Sequence, residues 1–185
     1  TVAPSWVAAD AAGPVTVTLD PENAFGSGEH GSTRAALALL EALVRPGDRV
    51  LDLGSGSGIL AIAAVRLGAS RAVGIETDAE ANLVAERNAE RNGVAGVTEF
   101  LEGDAAELAP LLGPADLVLS NILRTANVLL LPAILASLAS DGIVVFSGME
   151  EAESGLFRPV LRDASLQVVR ETVDAGWWAV AARRR

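Results

Sequence analysis

The sequence predicts an α/β fold: a doubly wound, mostly parallel seven-stranded sheet with helices on both faces and a C-terminal antiparallel hairpin. Three observations lead there. From residue 49 onward, short apolar runs of strand length alternate with longer helical stretches. Gly, Asp and Asn punctuate the junctions, as turns between such elements require. The last two apolar runs are separated only by turn residues ending in Asp174-Ala175-Gly176, so they pair as an antiparallel hairpin. A chain of 185 residues suits a single domain over 1–185, since domains run to about 100–200 residues.

Residues 1–20 mix Pro, Ala and Gly and read as an N-terminal extension or linker remnant, with one alternating stretch over 15–19 that suits a short strand. Asp20-Pro21-Glu22-Asn23 is turn chemistry, and 25–32 is a Gly-rich loop. Ser32 or Thr33 can cap a helix running to about residue 44, with Leu37, Leu40 and Leu43 on one face. Strand one, 49–53, runs into Gly54-Ser55-Gly56-Ser57-Gly58 and a helix over 59–67. Strand two, 72–75, ends at Glu76, and Asp78 caps a polar helix that stops at Asn92-Gly93. Strands three and four fall at 97–101 and 115–120. A long apolar helix over 124–139 precedes strand five at 143–147. A helix over 151–163, interrupted near Pro159, leads into the hairpin of 166–171 and 177–182. In such a sheet ligands bind beyond the carboxyl ends of the strands, at the switch point beside the first strand.

Composition removes many chemistries. Cys is absent, so disulfides, thiolate metal sites and Cys nucleophiles are excluded. His30 is the lone histidine, which excludes His-cluster metal sites, and no metal is expected. All fourteen cations are Arg, so Schiff-base lysines and Lys-dependent phosphate loops are excluded as well. Twenty-four carboxylates give a net charge of −10, and only Arg183-Arg184-Arg185 forms a basic run, so direct nucleic-acid binding is not expected. A basic partner would be steered favourably. With no 18-residue apolar run and no signal segment, the chain reads as soluble and cytoplasmic, without a membrane partner.

The candidate site lies on the loops after strands one to four. The glycines of 54–58 let backbone approach a ligand closely and lead into a helix N-terminus, which places Gly54, Ser55 and Gly56 among the cofactor-binding candidates. Asp52, two residues before the first Gly, is a feature of S-adenosylmethionine-dependent methyltransferases rather than of NAD enzymes. It can hold the methionine ammonium directly or through water, or it can pin the loop. Glu76, twenty-two residues after Gly54, stands where an acid accepts both ribose hydroxyls. Asp104, after strand three, suits an adenine exocyclic amine. Asn121, at the tip of strand four, can face the transferred methyl and accept from an amine nucleophile, or it can be a turn residue.

With those residues placed, the sequence resembles the bacterial PrmA-type methyltransferases, which act on ribosomal protein L11. Leu19-Asp20-Pro21, Ala24-Phe25-Gly26-Ser27-Gly28-Glu29-His30-Gly31-Ser32-Thr33, Leu53 to Ala64, Arg87 to Val94, and Ser120-Asn121-Ile122-Leu123 carry the resemblance, which spans about 3–182. It implies a class I, Rossmann-like methyltransferase fold and S-adenosylmethionine as cofactor, with S-adenosylhomocysteine as product. It implies N-methylation of protein amines, chiefly Lys, and cofactor contacts at Thr33, Gly54, Glu76 and Asn121. Four positions depart from the family: Glu29 replaces Thr, Gly31 replaces Pro, Glu76 replaces Asp, and Arg124 replaces Ala beside the substrate mouth. The family's N-terminal recognition domain would precede Thr1.

The expected catalytic residues are Asn121, which orients the acceptor amine, and His30, either a proton relay or a structural residue. The loop 25–31 is expected to close over the cofactor. The expected acceptor is a protein amine, with a basic ribosomal protein foremost. A small-molecule amine acceptor, or a module that binds the cofactor without turnover, are the alternatives.

Overall fold

The computed structural model describes residues 1–3, 15–20 and 28–185. The two-residue strands β1 (Val2–Ala3) and β2 (Val17–Thr18) pair in parallel, and α1 (Gly31–Leu43) follows. The main sheet is built from β3 (Arg49–Leu53), β4 (Arg71–Glu76), β5 (Thr98–Glu102), β6 (Ala115–Asn121), β7 (Leu138–Glu150), β8 (Leu166–Asp174) and β9 (Trp177–Arg184). Its order is β5-β4-β3-β6-β7-β9-β8, with β9 antiparallel to both neighbours and every other pairing parallel. The expected seven strands and terminal hairpin are therefore present. In the hairpin turn Ala175 and Gly176 both have positive φ, the backbone sign that matches the twist of the flanking strands.

Residues 72–75, 117–119 and 143–146 of the parallel strands read as continuous apolar runs because helices cover both faces, whereas Asp52 interrupts β3 and Glu99 interrupts the edge strand β5. Side chains alternate between two cores. Val50, Leu117, Leu119 and Val145 pack under α1, α2 (Ile59–Arg66) and α3 (Ala79–Arg91). Leu51, Leu53, Val118, Val144 and Phe146 pack under α4 (Ala105–Leu112), α5 (Arg124–Ser137) and α6 (Ser154–Asp163). This period of two decides where the polar strand residues go. Asp52 and Asn121 fall on the α1–α3 side, Ser120 on the α5 side.

Several boundaries differ from the sequence expectation. His30, not Ser32 or Thr33, caps α1, its Nδ1 accepting from the Ser32 backbone N–H, and the buried stripe is Ala35, Ala36, Leu39 and Leu40. Helix α4 was not expected, although Asp104 caps it and Glu107 stands in its first turn; Pro110 masked its helical pattern. Pro159 does not interrupt α6, because it removes one donor only while Phe157 and Leu161, one turn apart, stay buried on the sheet. Strand β7 starts at Leu138, with an irregularity before Ile143. The strand expected over 15–19 shortens to β2.

Candidate active site

At the switch point β3 is flanked by β4 and β6, both parallel to it. Leu53 pairs with Ser120, so Gly54 and Asn121 leave the sheet side by side. A cavity of about 390 Å³ opens there, lined by Asp52, Gly54, Ser55, Gly56, Glu76, Asp104 and Asn121 among others. The structure thus gathers seven of the expected site residues at one cleft. Thr33 reaches it through Asn121, whose Nδ2 donates to Thr33 Oγ1 at 3.4 Å. The loop holds this shape because Gly54, Gly56 and Gly58 all have positive φ, and a Cβ on Gly58 would meet the Phe100 ring at 2.8 Å.

Asp52 is 1% exposed. Its Oδ2 accepts from the Ala61 N–H at 3.1 Å, tying strand β3 to helix α2, while Oδ1 has no partner among the described residues. Burial pushes its carboxyl up to about 7; the Ala61 bond opposes that rise and the charge of Glu76 adds to it. One oxygen of Asp52 therefore pins α2, and the other is buried with no partner among the described residues. Ser55 Oγ and Asn121 Oδ1 are likewise buried without a partner among the described residues. Three buried polar atoms in one cleft wall are a large desolvation cost unless a ligand meets them.

Glu76 is more occupied than a free ribose acceptor would be. Its Oε1 accepts from the Thr77 N–H at 2.7 Å, the Thr77 hydroxyl at 3.2 Å and the Asp78 N–H at 3.2 Å, and Oε2 accepts from the Gly56 N–H at 3.1 Å. A carboxylate offers about four acceptor sites, so a diol would be taken up only in exchange for some of these turn bonds. Asp104 Oδ1 accepts from the Ala106 N–H at 2.8 Å as the α4 cap, while the residue also lines the cleft.

His30 stands apart from these lining residues. Its Nδ1 lies 2.8 Å from Ser32 Oγ and its ring 4.3 Å from that of Trp177, centroid to centroid. Arg124, expected as a cation beside the mouth, is paired: its Nε donates to Glu153 Oε1 at 2.9 Å. Residues 25–27 of the expected closing loop, with Pro21-Glu22-Asn23-Ala24 of the same motif, lie outside the described residues. The sequence reading missed the apolar wall of the cleft, to which Ile122, Ala126 and Leu130 contribute. The spacing of Ala126 and Leu130, one helical turn apart, was the available signal. Among the described residues no group of three or more His, Cys, Asp or Glu is placed to hold a metal ion.

Comparison with known proteins places the chain in a family. A family model described as ribosomal protein L11 methyltransferase (PrmA) matches residues 1–185. The ribosomal protein L11 methyltransferase of Pelotomaculum thermopropionicum is 43% identical over 98% of this chain and 59% of its own length. That of Thermus thermophilus is 37% identical over 92% of this chain and 65% of its own length. The chain thus spans about three fifths of the length of these curated relatives. A crystal structure of ribosomal protein L11 methylase from Lactobacillus delbrueckii subsp. bulgaricus superposes with a TM-score of 0.88 at 31% identity, covering 100% of this chain and 94% of that one. An RNA methyltransferase from Salinibacter ruber, solved with S-adenosyl-L-homocysteine, superposes with a TM-score of 0.64 at 26% identity, covering 80% and 90%. No helix among the described residues is long and apolar enough to cross a membrane. The chain belongs to the ribosomal protein L11 methyltransferase (PrmA) family.

Proposed function

We propose that this chain is an S-adenosylmethionine-dependent N-methyltransferase of protein amines, built as one domain over 1–185. One observation carries the reading: the Asn121 side chain ends β6 with its Nδ2 held by Thr33 and its Oδ1 buried with no partner among the described residues, at the lip of a cleft with two further polar atoms in the same condition. An amine N–H is the donor such an oxygen accepts. The Salinibacter neighbour, solved with the demethylated cofactor, and the relatives' names support the same class.

The residues present fit that cofactor. Asp52 Oδ1 and Ser55 Oγ, which have no partner among the described residues, suit its ammonium and carboxylate end; Glu76 suits the ribose in exchange for some of its turn bonds, and Asp104 the adenine amine. Ile75, Ile122 and Leu130 supply apolar wall for the base. The Gly54-Ser55-Gly56 backbone permits close approach. When bound, the cofactor would supply a methyl carried on a sulfonium sulfur, a group that a neutral amine can accept. What the chain contributes is alignment and exclusion of water. Asn121 Oδ1 orients the neutral amine by accepting one N–H. His30 Nδ1 is engaged at the α1 cap, so the residue contributes by holding the start of that helix.

The test is transfer of labelled methyl from S-adenosylmethionine to purified ribosomal protein L11, to lysine-containing peptides and to free small amines. Label on protein or peptide lysines that disappears with Asn121→Ala is the expected result. Label on free amines alone would move the acceptor to small molecules. Cofactor binding without transfer to any acceptor would leave a binding module.

A further inference from the structure

Asn127 lies in α5 between Ala126 and Leu130 of the cleft wall, does not itself line the cleft, and is fully buried. Its amide is nonetheless completely used. Oδ1 accepts from the Ser120 hydroxyl at 2.7 Å, and Nδ2 donates to the Ile122 and Ser147 carbonyls, each at 3.0 Å. Ser120 and Ile122 are the two neighbours of Asn121 in the chain. A single buried amide therefore grips the backbone on one side of Asn121 and the side chain on the other. The frame closes through α1: Ser147 Oγ donates to the Ser32 carbonyl at 2.9 Å, and the next residue, Thr33, accepts from Asn121 Nδ2. Gly148 lets β7 pass close beneath, where a Cβ would stand 2.3 Å from the Ile122 carbonyl oxygen.

We infer that Asn127 is the positioning residue of the acceptor site: by holding Ser120 and Ile122 it fixes the direction in which Asn121 Oδ1 points. The inference rests on the proposed role of Asn121 in orienting the amine. With both chain neighbours fixed, Asn121 keeps only its own side-chain torsions, and Thr33 pins those. In-line displacement is sensitive to such placement, since a shift of about 1 Å can cost about a hundredfold in rate. The strand alternation that sends Asn121 toward α1 sends Ser120 toward α5, so the grip comes from the opposite side of the sheet and leaves the cleft clear.

Asn127→Asp keeps the size and the acceptor for Ser120 but replaces the donor facing two carbonyl oxygens with a third acceptor. Ser120→Ala removes one arm and disturbs packing least. With S-adenosylmethionine and ribosomal protein L11, the expected fall in kcat is about tenfold or more for Asn127→Asp and about threefold for Ser120→Ala, with cofactor Kd changed by less than about threefold in both. Nitrogen-15 relaxation of the Asn121 side-chain amide is expected to show it rigid in the parent protein and mobile in both variants. A kcat that falls only in proportion to lost folded protein, with the Asn121 amide as rigid as in the parent, overturns the inference. If Asn127→Asp does not fold, Ser120→Ala decides by the same two readouts. If the parent protein transfers no methyl to ribosomal protein L11, the proposed acceptor fails, and the relaxation measurement alone decides the role of Asn127.

Discussion

Replacing Asp52 with Asn should stabilise the empty protein at alkaline pH while weakening its hold on S-adenosylmethionine. The carboxyl is pushed up from 3.8 to about 7, mainly by burial. The native state therefore binds a proton that the unfolded chain has released across that interval, and stability falls as pH rises through it. At about 1.4 kcal/mol per pKa unit, keeping Asp52 ionised above pH 8 costs the fold up to about 4 kcal/mol. Asn is isosteric and uncharged, its oxygen can still accept from the Ala61 N–H, and its amide takes the place of the unsatisfied Oδ1. Urea unfolding of both proteins at pH 5, 7 and 8.5 should show the parent losing stability with pH and the variant nearly flat, for about 2–4 kcal/mol in the variant's favour at the alkaline end. Calorimetry at pH 8.5 should show the reverse for the cationic cofactor, an affinity loss of about 1.5–3 kcal/mol from a missing charge-assisted partner. A variant that is less stable at pH 8.5, or whose pH slope matches the parent, would refute the argument that burial dominates at Asp52. Equal cofactor affinity would leave Asp52 as a pin for α2 only.

Glu76→Ala should weaken S-adenosylhomocysteine binding by about 1–3 kcal/mol in a calorimetric titration, and unchanged affinity would mean that the ribose lies elsewhere. Asn121→Ala should lower kcat for methyl transfer with little change in cofactor Kd, because an amine-orienting group acts mostly in the transition state; equal losses would make it a cofactor ligand alone. Methylation of ribosomal protein L11 by these 185 residues at physiological salt should be slow, since attraction from an acidic surface is screened beyond about 8 Å and gives little specificity. Steady-state kinetics with kcat/KM matching a full-length relative would show that this domain carries its own docking surface.

Most of the sheet was legible because its central strands are buried on both faces. Ala72–Ile75 and Leu117–Leu119 each form a run that solvent-facing strands would break with polar residues, and the one polar residue within Val50–Leu53 is the site acid Asp52. The hairpin was legible from its turn residues. The acids at the ends of β3 and β4, and Asn121 at the end of β6, could be placed because parallel topology brings strand ends together. Helix α4 was missed although Asp104 and Glu107 have capping spacing, because Pro110 hid the helical pattern. The occupied state of Glu76 was also invisible, since it depends on how the backbone of Thr77 and Asp78 turns. Least legible was the frame behind Asn121. Ser120, Asn127, Ser147 and Ser32 come from four elements, and no local pattern in the chain shows that their side chains and carbonyls converge.

The cleft at the ends of β3 to β6 is the proposed site for S-adenosylmethionine. Calorimetric titration of the protein with S-adenosylmethionine, set beside an identical titration with NAD, tests it directly. Saturable binding of one S-adenosylmethionine per chain is expected, with no measurable heat of binding with NAD over the same concentrations. Saturable NAD binding, or no binding of S-adenosylmethionine, would contradict it.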